Sequence, residues 1–371
     1  MIIGIPRLTL RNEHRVGLTP FSVAQLTKRG HTVVLEKDAG MSAHFTNRDY
    51  QTAGAQIVYS TDEAYKRADM ICQVSVIGPE ELDHIKPGSA LCGFLHLAVA
   101  PREMVTRFME LQTTLIGCEI IRDKHGDLPV LLPMSDMAGQ MALHIAAHYL
   151  ENKSGGRGVL MGNVTGVPPP TVLILGAGAV GQAAARTALA IGAHVVVIDS
   201  DFSKLRALNR QLSGQLVTVV AGVERLEKYT AIADVVIGAV LVPGGRAPYL
   251  VTEEMVKAMK PGSVIVDISI DQGGCFETSR PTTLDNPTYL VHDVVHYCVP
   301  NLTSNIARTA SRAFANAAIP YILALADKGV KGALEDDPGL AAGVYLYNGK
   351  MVHPMLGQTL GMPVTPLQDL L

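Results

Sequence analysis

The chain has 371 residues, 48% hydrophobic and 18% charged, with a formal net charge of -3. That balance excludes a disordered chain and a basic nucleic-acid surface, and the length suits two or three domains with sizeable cores. No run of about 18 apolar residues occurs, and MIIGIPRLTLRNEHR turns charged too early for a leader, so neither a membrane span nor a signal peptide is expected.

Short β-rich runs alternate with helical stretches from the first residues. Strands are predicted at IIGI (2–5), HTVVLE (31–36), DMICQV (69–74), SALCGFL (89–95) and TTLIGCEI (113–120). Between the first two, Thr19 can cap a helix, Pro20 suits its first turn, and Gly30 suits its exit. Residues 155–170, GGRGVLMGNVTGVPPP, are rich in glycine and proline, as a connector would be. A second alternating set follows at TVLIL (171–175), HVVVID (194–199), DVVIGA (234–239) and SVIVDI (263–268). Beyond residue 300 the pattern is helical and no further strands of the sheet are expected. The rhythm predicts an α/β chain with two Rossmann-like domains built on parallel sheets.

LILGAGAVGQAAARTALAIGAHVVVIDSD carries the clearest chemistry. Gly176, Gly178 and Gly181 form GxGxxG between a strand and a helix, and Asp199 closes the next strand. Gly176 permits the tight turn, Gly178 lets backbone approach a pyrophosphate, and Gly181 lets helix and strand pack closely. The helix N-terminus favours phosphate, while Asp199 accepts from ribose hydroxyls and repels a 2′-phosphate, so NAD is expected over NADP. FAD fits less well, because its fingerprint usually opens a chain. Val240 and Leu241, in GAVLVPGGRAP, are placed to pack on cofactor rings, and Asp271 lies just past a strand end, where it serves chemistry or caps a loop.

The first half offers His96, just past an apolar strand, and Arg15, in the loop after the first strand. Histidine suits proton transfer near neutral pH, and the arginine fork matches a carboxylate. His144 and His148 stand one helical turn apart, but no HExxH glutamate lies between them, so no metal site is expected. Cys72, Cys92, Cys118, Cys275 and Cys298 are odd in number and lack CxxC spacing, which points to inert thiols in a reducing cytoplasm.

Motifs spread along the whole chain resemble the alanine dehydrogenase family, relatives of the soluble cofactor domain of proton-translocating transhydrogenase. They are RVGLTP (15–20), FLHLA (94–98), LPMSDMAG (132–139), GGRGVLMG (155–162), IGAVLVPG (237–244), DQGGCFETSRPTT (271–283) and HYCVPN (296–301). DQGGCFETSRPTT resembles the alanine dehydrogenase branch more than the transhydrogenase branch. The resemblance implies a discontinuous catalytic domain, residues 1–130 plus 305–371, enclosing an NAD domain at 131–304. Two lobes would then face each other across a gap, with a homohexamer as the common assembly. It implies cofactor roles for Ser135, Gly178, Val180, Asp199, Val240, Leu241 and Asn301, with Lys204 at the adenosine end, and a packing role for Met134 that shapes the substrate pocket. The implied reaction is oxidative deamination of a small amino acid to a 2-oxo acid. His96 would be the acid/base, Asp271 would orient water or the amino group, and Arg15 would hold the substrate carboxylate.

Two departures bear on that reading. A lysine that binds substrate in the family aligns with Ser75, a second aligns with Gln73, and no lysine occurs between Lys66 and Lys86. Loss of one partner from a buried charge pair costs roughly 2–5 kcal/mol, or about 30-fold to a few thousand-fold in affinity. After the VP at 299–300, family members tend toward NMPGAVP, whereas this chain has NLTSNIA, placing Ser304 and Asn305 where the family has a compact apolar turn. Both changes are expected to face one cleft. They leave three readings: alanine or another small amino acid as substrate, a different imine or secondary amine, or a non-catalytic NAD-binding sensor. Transhydrogenase-like hydride exchange is disfavoured by the motif branch.

Overall fold

In the computed structural model, residues 1–8, 12–75, 77–214 and 216–371 are described. The chain forms two compact units. The first comprises Met1–Met134, Pro243–Gly245 and Ser304–Leu371; the second comprises Ser135–Val242 and Arg246–Thr303.

The first unit begins with six strands: β1 (Ile2–Ile5), β2 (Thr32–Glu36), β3 (Gln56–Val58), β4 (Met70–Ser75), β5 (Ala90–Phe94) and β6 (Thr114–Gly117). The second unit holds β7 (Thr171–Leu175), β8 (His194–Asp199), β9 (Leu216–Val220), β10 (Val235–Gly238), β11 (Val264–Asp267), β12 (Thr288–Val291) and β13 (Val294–Tyr297). The chain then returns to the first unit for β14 (Val344–Tyr347) and β15 (Lys350–Met351).

In the first sheet the order is β15-β14-β6-β5-β4-β1-β2-β3, and in the second β12-β13-β11-β10-β7-β8-β9. Each therefore contains six parallel strands in the doubly wound order, with the reversal at β1/β4 in one and β7/β10 in the other. The Val, Ile and Leu runs follow from this: strands such as β4 and β10 are buried along their full length, as parallel strands covered on both faces must be. The first core gathers Ile71, Leu91, Leu115, Phe108 and Leu346; the second gathers Leu173, Val196, Val236, Ile265 and Phe276.

Local signals also behave as the residues dictate. Thr19 accepts from the Ser22 amide at the start of helix Pro20–Lys28, and Gly30 turns left-handed (φ 83°) after its end. The glycine-rich stretch 155–170 joins helix Leu132–Tyr149 to β7 within the second unit.

The α/β fold of two Rossmann-like units holds with antiparallel strands added at the sheet edges. There β12 runs antiparallel to β13, and β14 runs antiparallel to both β6 and β15. One expectation needs correction, because the C-terminal tail is not only helical. Helix Ala307–Asp336, interrupted at Gly329 (φ 73°), leads to the β14–β15 hairpin, which covers the β6 edge. The signal was weak because VYLY and KM are only 4 and 2 residues long and are separated by one tight Asn348-Gly349 turn. Leu346 on β14 is fully buried, so Leu346→Ala should destabilise the protein by about 2–5 kcal/mol in urea unfolding, a cost expected of a core strand and not of a loose tail.

Candidate active site

The reversal at β1/β4 brings the loop after β1 beside the end of β4, where a crevice forms because the neighbouring connections leave to opposite faces. Three side chains from these elements interlock. Arg15 Nε donates to Glu13 Oε1 at 2.8 Å and its Nη2 pairs with Oε2, while Ser75 Oγ donates to Glu13 Oε2 at 2.7 Å. Arg15 and Ser75 are 4% and 1% exposed, so this is an interior cluster and not a surface ion pair. Burial raises the Glu13 carboxyl, but the Arg15 charge and the hydrogen bonds from Arg15 and Ser75 outweigh it and hold the group below its ordinary value. Glu13 was not singled out from the sequence. The available signal was an acid two residues before Arg15 in a loop that must sit at the sheet's crevice.

Gln73, the other position that aligns with a family lysine, turns inward: its Nε2 donates to the Ser75 carbonyl at 2.7 Å and its Oε1 accepts from Tyr65. Ser304 does not face a cleft, contrary to expectation. It is 1% exposed, donates to the Asn12 carbonyl at 2.6 Å and accepts from the His14 amide at 2.8 Å, while Ser311 accepts from the Val16 amide. The polar residues near the start of the long helix thus fasten the loop that carries Glu13 and Arg15. Asn305 is exposed.

His96 follows β5 in a left-handed conformation (φ 44°, ψ 42°) that non-glycine residues seldom adopt. Its ring stacks on Phe94, centroids 6.2 Å apart, and Phe94 in turn packs on Phe314 of the long helix at 5.0 Å. Among the described residues no protein group hydrogen-bonds its ring nitrogens. Its amide donates to Glu119 Oε1 at 2.7 Å. Met134 is buried on helix Leu132–Tyr149. A separate groove of about 680 Å³ in this unit is lined by Thr19, Phe45, Asp49, Arg308 and Arg312, and contains none of the candidate catalytic, substrate or cofactor residues.

In the second unit, Gly176 (φ 110°) ends β7 and Gly178 precedes helix Ala179–Ala190. A Cβ on Gly181 would overlap the Gly176 carbonyl, which is why that position must be glycine for the helix to lie close to the turn. A Cβ on Gly178 would meet nothing, so open space lies in front of this backbone. No side chain caps the helix, which leaves its first amides facing outward from the turn. Asp199 ends β8; its Oδ2 accepts from the Ala177 amide at 2.7 Å and its Oδ1 from the Asp201 amide at 2.8 Å. The carboxylate thus ties the two strand ends and keeps lone pairs for a further donor.

Across the β7/β10 reversal, the Val240 amide donates to Ser269 Oγ and the Val242 amide to Gln272 Oε1, fixing Val240 half-buried and Leu241 46% exposed. Asp271 Oδ1 accepts from the Asn301 amide at 2.8 Å, and Asn301 is left-handed (φ 54°). Asp271 therefore holds a loop through this oxygen. Ser135 is buried in the first turn of helix Leu132–Tyr149, Val180 is half-buried and Lys204 is exposed. His144 and His148 lie on that same helix, and the described residues contain no group of three ligating side chains. All five cysteines are free and buried; burial pushes Cys298 up to about 11 and holds Cys72 well above its ordinary value. No described helix is long and apolar enough to cross a membrane.

With this geometry in place the comparisons are decisive. The family model "Alanine dehydrogenase/PNT, N-terminal domain" matches residues 4–138, and its C-terminal counterpart matches residues 142–354. The chain belongs to the alanine dehydrogenase/PNT family. It is 44% identical over 365 residues to the alanine dehydrogenase of Mycobacterium tuberculosis H37Rv, covering 98% of each chain. It is 42% identical to that of Bacillus subtilis, covering 100% of this chain and 98% of the other. A solved L-alanine dehydrogenase superposes with TM-score 0.89 at 42% identity, covering 97% of this chain and 99% of that one. A transhydrogenase from Sinorhizobium meliloti gives 0.77 at 25% identity, covering 95% and 99%.

Within this alanine dehydrogenase/PNT chain, one further buried carboxyl shapes the second unit. Asp267, ending β11, accepts from Ser279 Oγ at 2.6 Å and from the Cys275 amide at 3.0 Å, pinning the DQGGCFETS loop that carries Asp271. Burial outweighs these hydrogen bonds and pushes the carboxyl up to about 6. Its folded value thus lies above its unfolded value, so the folded chain retains a proton that the unfolded chain loses between about pH 4 and 6, and stability falls as pH rises through that window. Asp267→Asn removes the titration: relative to wild type, its unfolding free energy should rise by about 2–3 kcal/mol between about pH 4 and 8 in urea titrations. A constant difference across that range would refute the assignment.

Proposed function

We propose that this chain catalyses NAD-dependent oxidative deamination of a small L-amino acid, with alanine the first candidate, to a 2-oxo acid and ammonia, and the reverse. The observation that carries the reading is end-to-end similarity of 42–44% to proteins named alanine dehydrogenase in a chain that keeps His96, Asp271 and the GAGAVG turn with Asp199. The open space before Gly178 and the uncapped helix after it fit a dinucleotide pyrophosphate.

In this reading Gly176, Gly178, Val180 and Gly181 hold the pyrophosphate, and Asp199 accepts from the adenosine ribose and repels a 2′-phosphate. Ser135, Lys204, Val240, Leu241 and Asn301 complete the cofactor site. NAD supplies the hydride acceptor for the substrate's α-carbon. His96 takes the proton released as the amine becomes an imine, and then shuttles protons as water adds and ammonia leaves. Asp271 orients that water through the oxygen not committed to Asn301. Met134 shapes the substrate pocket, and the chain works as a homo-oligomer, a hexamer by family resemblance, which sedimentation velocity would test.

A second reading, a substrate other than alanine, is favoured by the Glu13–Arg15–Ser75 cluster. One cation there already balances one anion, so an entering carboxylate must compete with Glu13 for Arg15, and Ser75 brings a hydroxyl but no charge. An initial-rate screen of amino acids with NAD, and of 2-oxo acids with NADH and ammonia or amines, separates the readings. Alanine should turn over, and Ser75→Lys should raise kcat/KM for alanine by about 30-fold or more, chiefly through KM. A better wild-type substrate that Ser75→Lys impairs would establish the second reading. His96→Ala should lower kcat by roughly 10²–10⁴-fold. NAD binding by calorimetry without turnover of any compound would reject catalysis and leave a sensor.

A further inference from the structure

Glu119 lies just beyond β6, 4% exposed, in a turn where no cationic side chain pairs with it among the described residues. Its carboxyl accepts from three donors: the Leu95 amide at 3.2 Å, the His96 amide at 2.7 Å and the Tyr345 hydroxyl at 2.9 Å. The first two belong to the bend that leaves β5, where His96 is left-handed at a cost of about 1 kcal/mol that surrounding contacts must offset.

Tyr345 reaches Glu119 from the C-terminal tail. It sits on β14 where the register with β6 shifts between Val344 and Leu346, and such irregularities re-aim the side chain at the extra residue. Its ring is 1% exposed and lies over Gly117, where any Cβ would overlap it. The His353 ring packs edge-on against it, centroids 5.1 Å apart. Burial and the adjacent Glu119 push the phenol well above its ordinary value, so it stays a donor.

We infer that Glu119 and Tyr345 are positioning residues for His96: the tail strand β14 supplies the hydroxyl that fixes the Glu119 carboxyl, and the carboxyl fixes the backbone from which the imidazole projects. This rests on the role proposed for His96, but its own geometry is confined to the first unit. The consequence is that residues more than 220 positions downstream in sequence set the placement of the acid/base, as the separation of 226 between Glu119 and Tyr345 shows. Neither residue touches the reacting atoms.

The test uses the full chain. Tyr345→Phe keeps the ring and deletes the donor; kcat for the best substrate found should fall roughly 3- to 30-fold, with KM for NAD and substrate within about twofold. Glu119→Gln keeps an acceptor for the His96 amide and should hold kcat within about threefold, whereas Glu119→Leu should lose roughly 10- to 100-fold. A readout independent of activity is amide hydrogen exchange of the peptide spanning residues 91–99, which should quicken in Tyr345→Phe and Glu119→Leu but not in Glu119→Gln, with peptides of β7 to β10 unchanged. Unchanged kcat and unchanged exchange in Tyr345→Phe would overturn the inference, as would a loss confined to KM. If the wild type turns over nothing, the proposed function fails while the exchange comparison still decides whether Glu119 and Tyr345 hold this bend.

Discussion

In each sheet the strands on either side of the first one are reached by connections that leave in opposite directions. That reversal, at β1/β4 and at β7/β10, cannot be filled by the chain's own helices, so the carboxyl ends of the strands stay open beside it. Every residue with a proposed role in chemistry stands at or near the carboxyl edge that this reversal opens, or is tied to it. The glycine turn and Asp199 lie at one reversal; the loop of Glu13 and Arg15 and the end of β4 lie at the other.

What the first unit places at its reversal is a balanced ion pair. Removing Glu13 and Arg15 from water is costly, and the structure offsets the cost by saturating both carboxylate oxygens from Arg15 and Ser75. Such a cluster is well determined in shape, with both Glu13 carboxylate oxygens committed inside the fold. The loop that carries it is fastened by Ser304 and Ser311.

The C-terminal tail contributes more than a cover. Through β14 it closes the β6 edge, buries Leu346, and carries Tyr345 to a carboxyl that the sheet would otherwise bury with only backbone donors. The unit that bears His96 is therefore assembled from two widely separated stretches of sequence, and its acid/base candidate is held by both.

Much of this was legible in the residues themselves. The Val- and Ile-rich runs become β1, β2, β4, β5, β7, β8, β10 and β11 because parallel strands buried on both faces favour apolar side chains at most positions. Gly176 and Gly181 had to be glycine because one takes a left-handed turn and the other admits no Cβ. These are local constraints, and local sequence records them. The strands β3, β12, β13, β14 and β15 escaped notice because a strand of 2 to 4 residues has no periodicity of its own and is defined by the neighbour it pairs with, and the five-residue β9 escaped as well. The partners of Arg15, Ser75, Ser304 and Glu119 were likewise decided only by tertiary structure. A side-chain hydrogen bond such as Ser304 to the loop at Asn12 spans 292 residues, and nothing in either segment alone specifies the other. Sequence by itself determined which residue types line the strand ends; folding decided which of them are satisfied by one another and which remain for a ligand, because hydrogen bonding is settled by distances that only the packed chain sets.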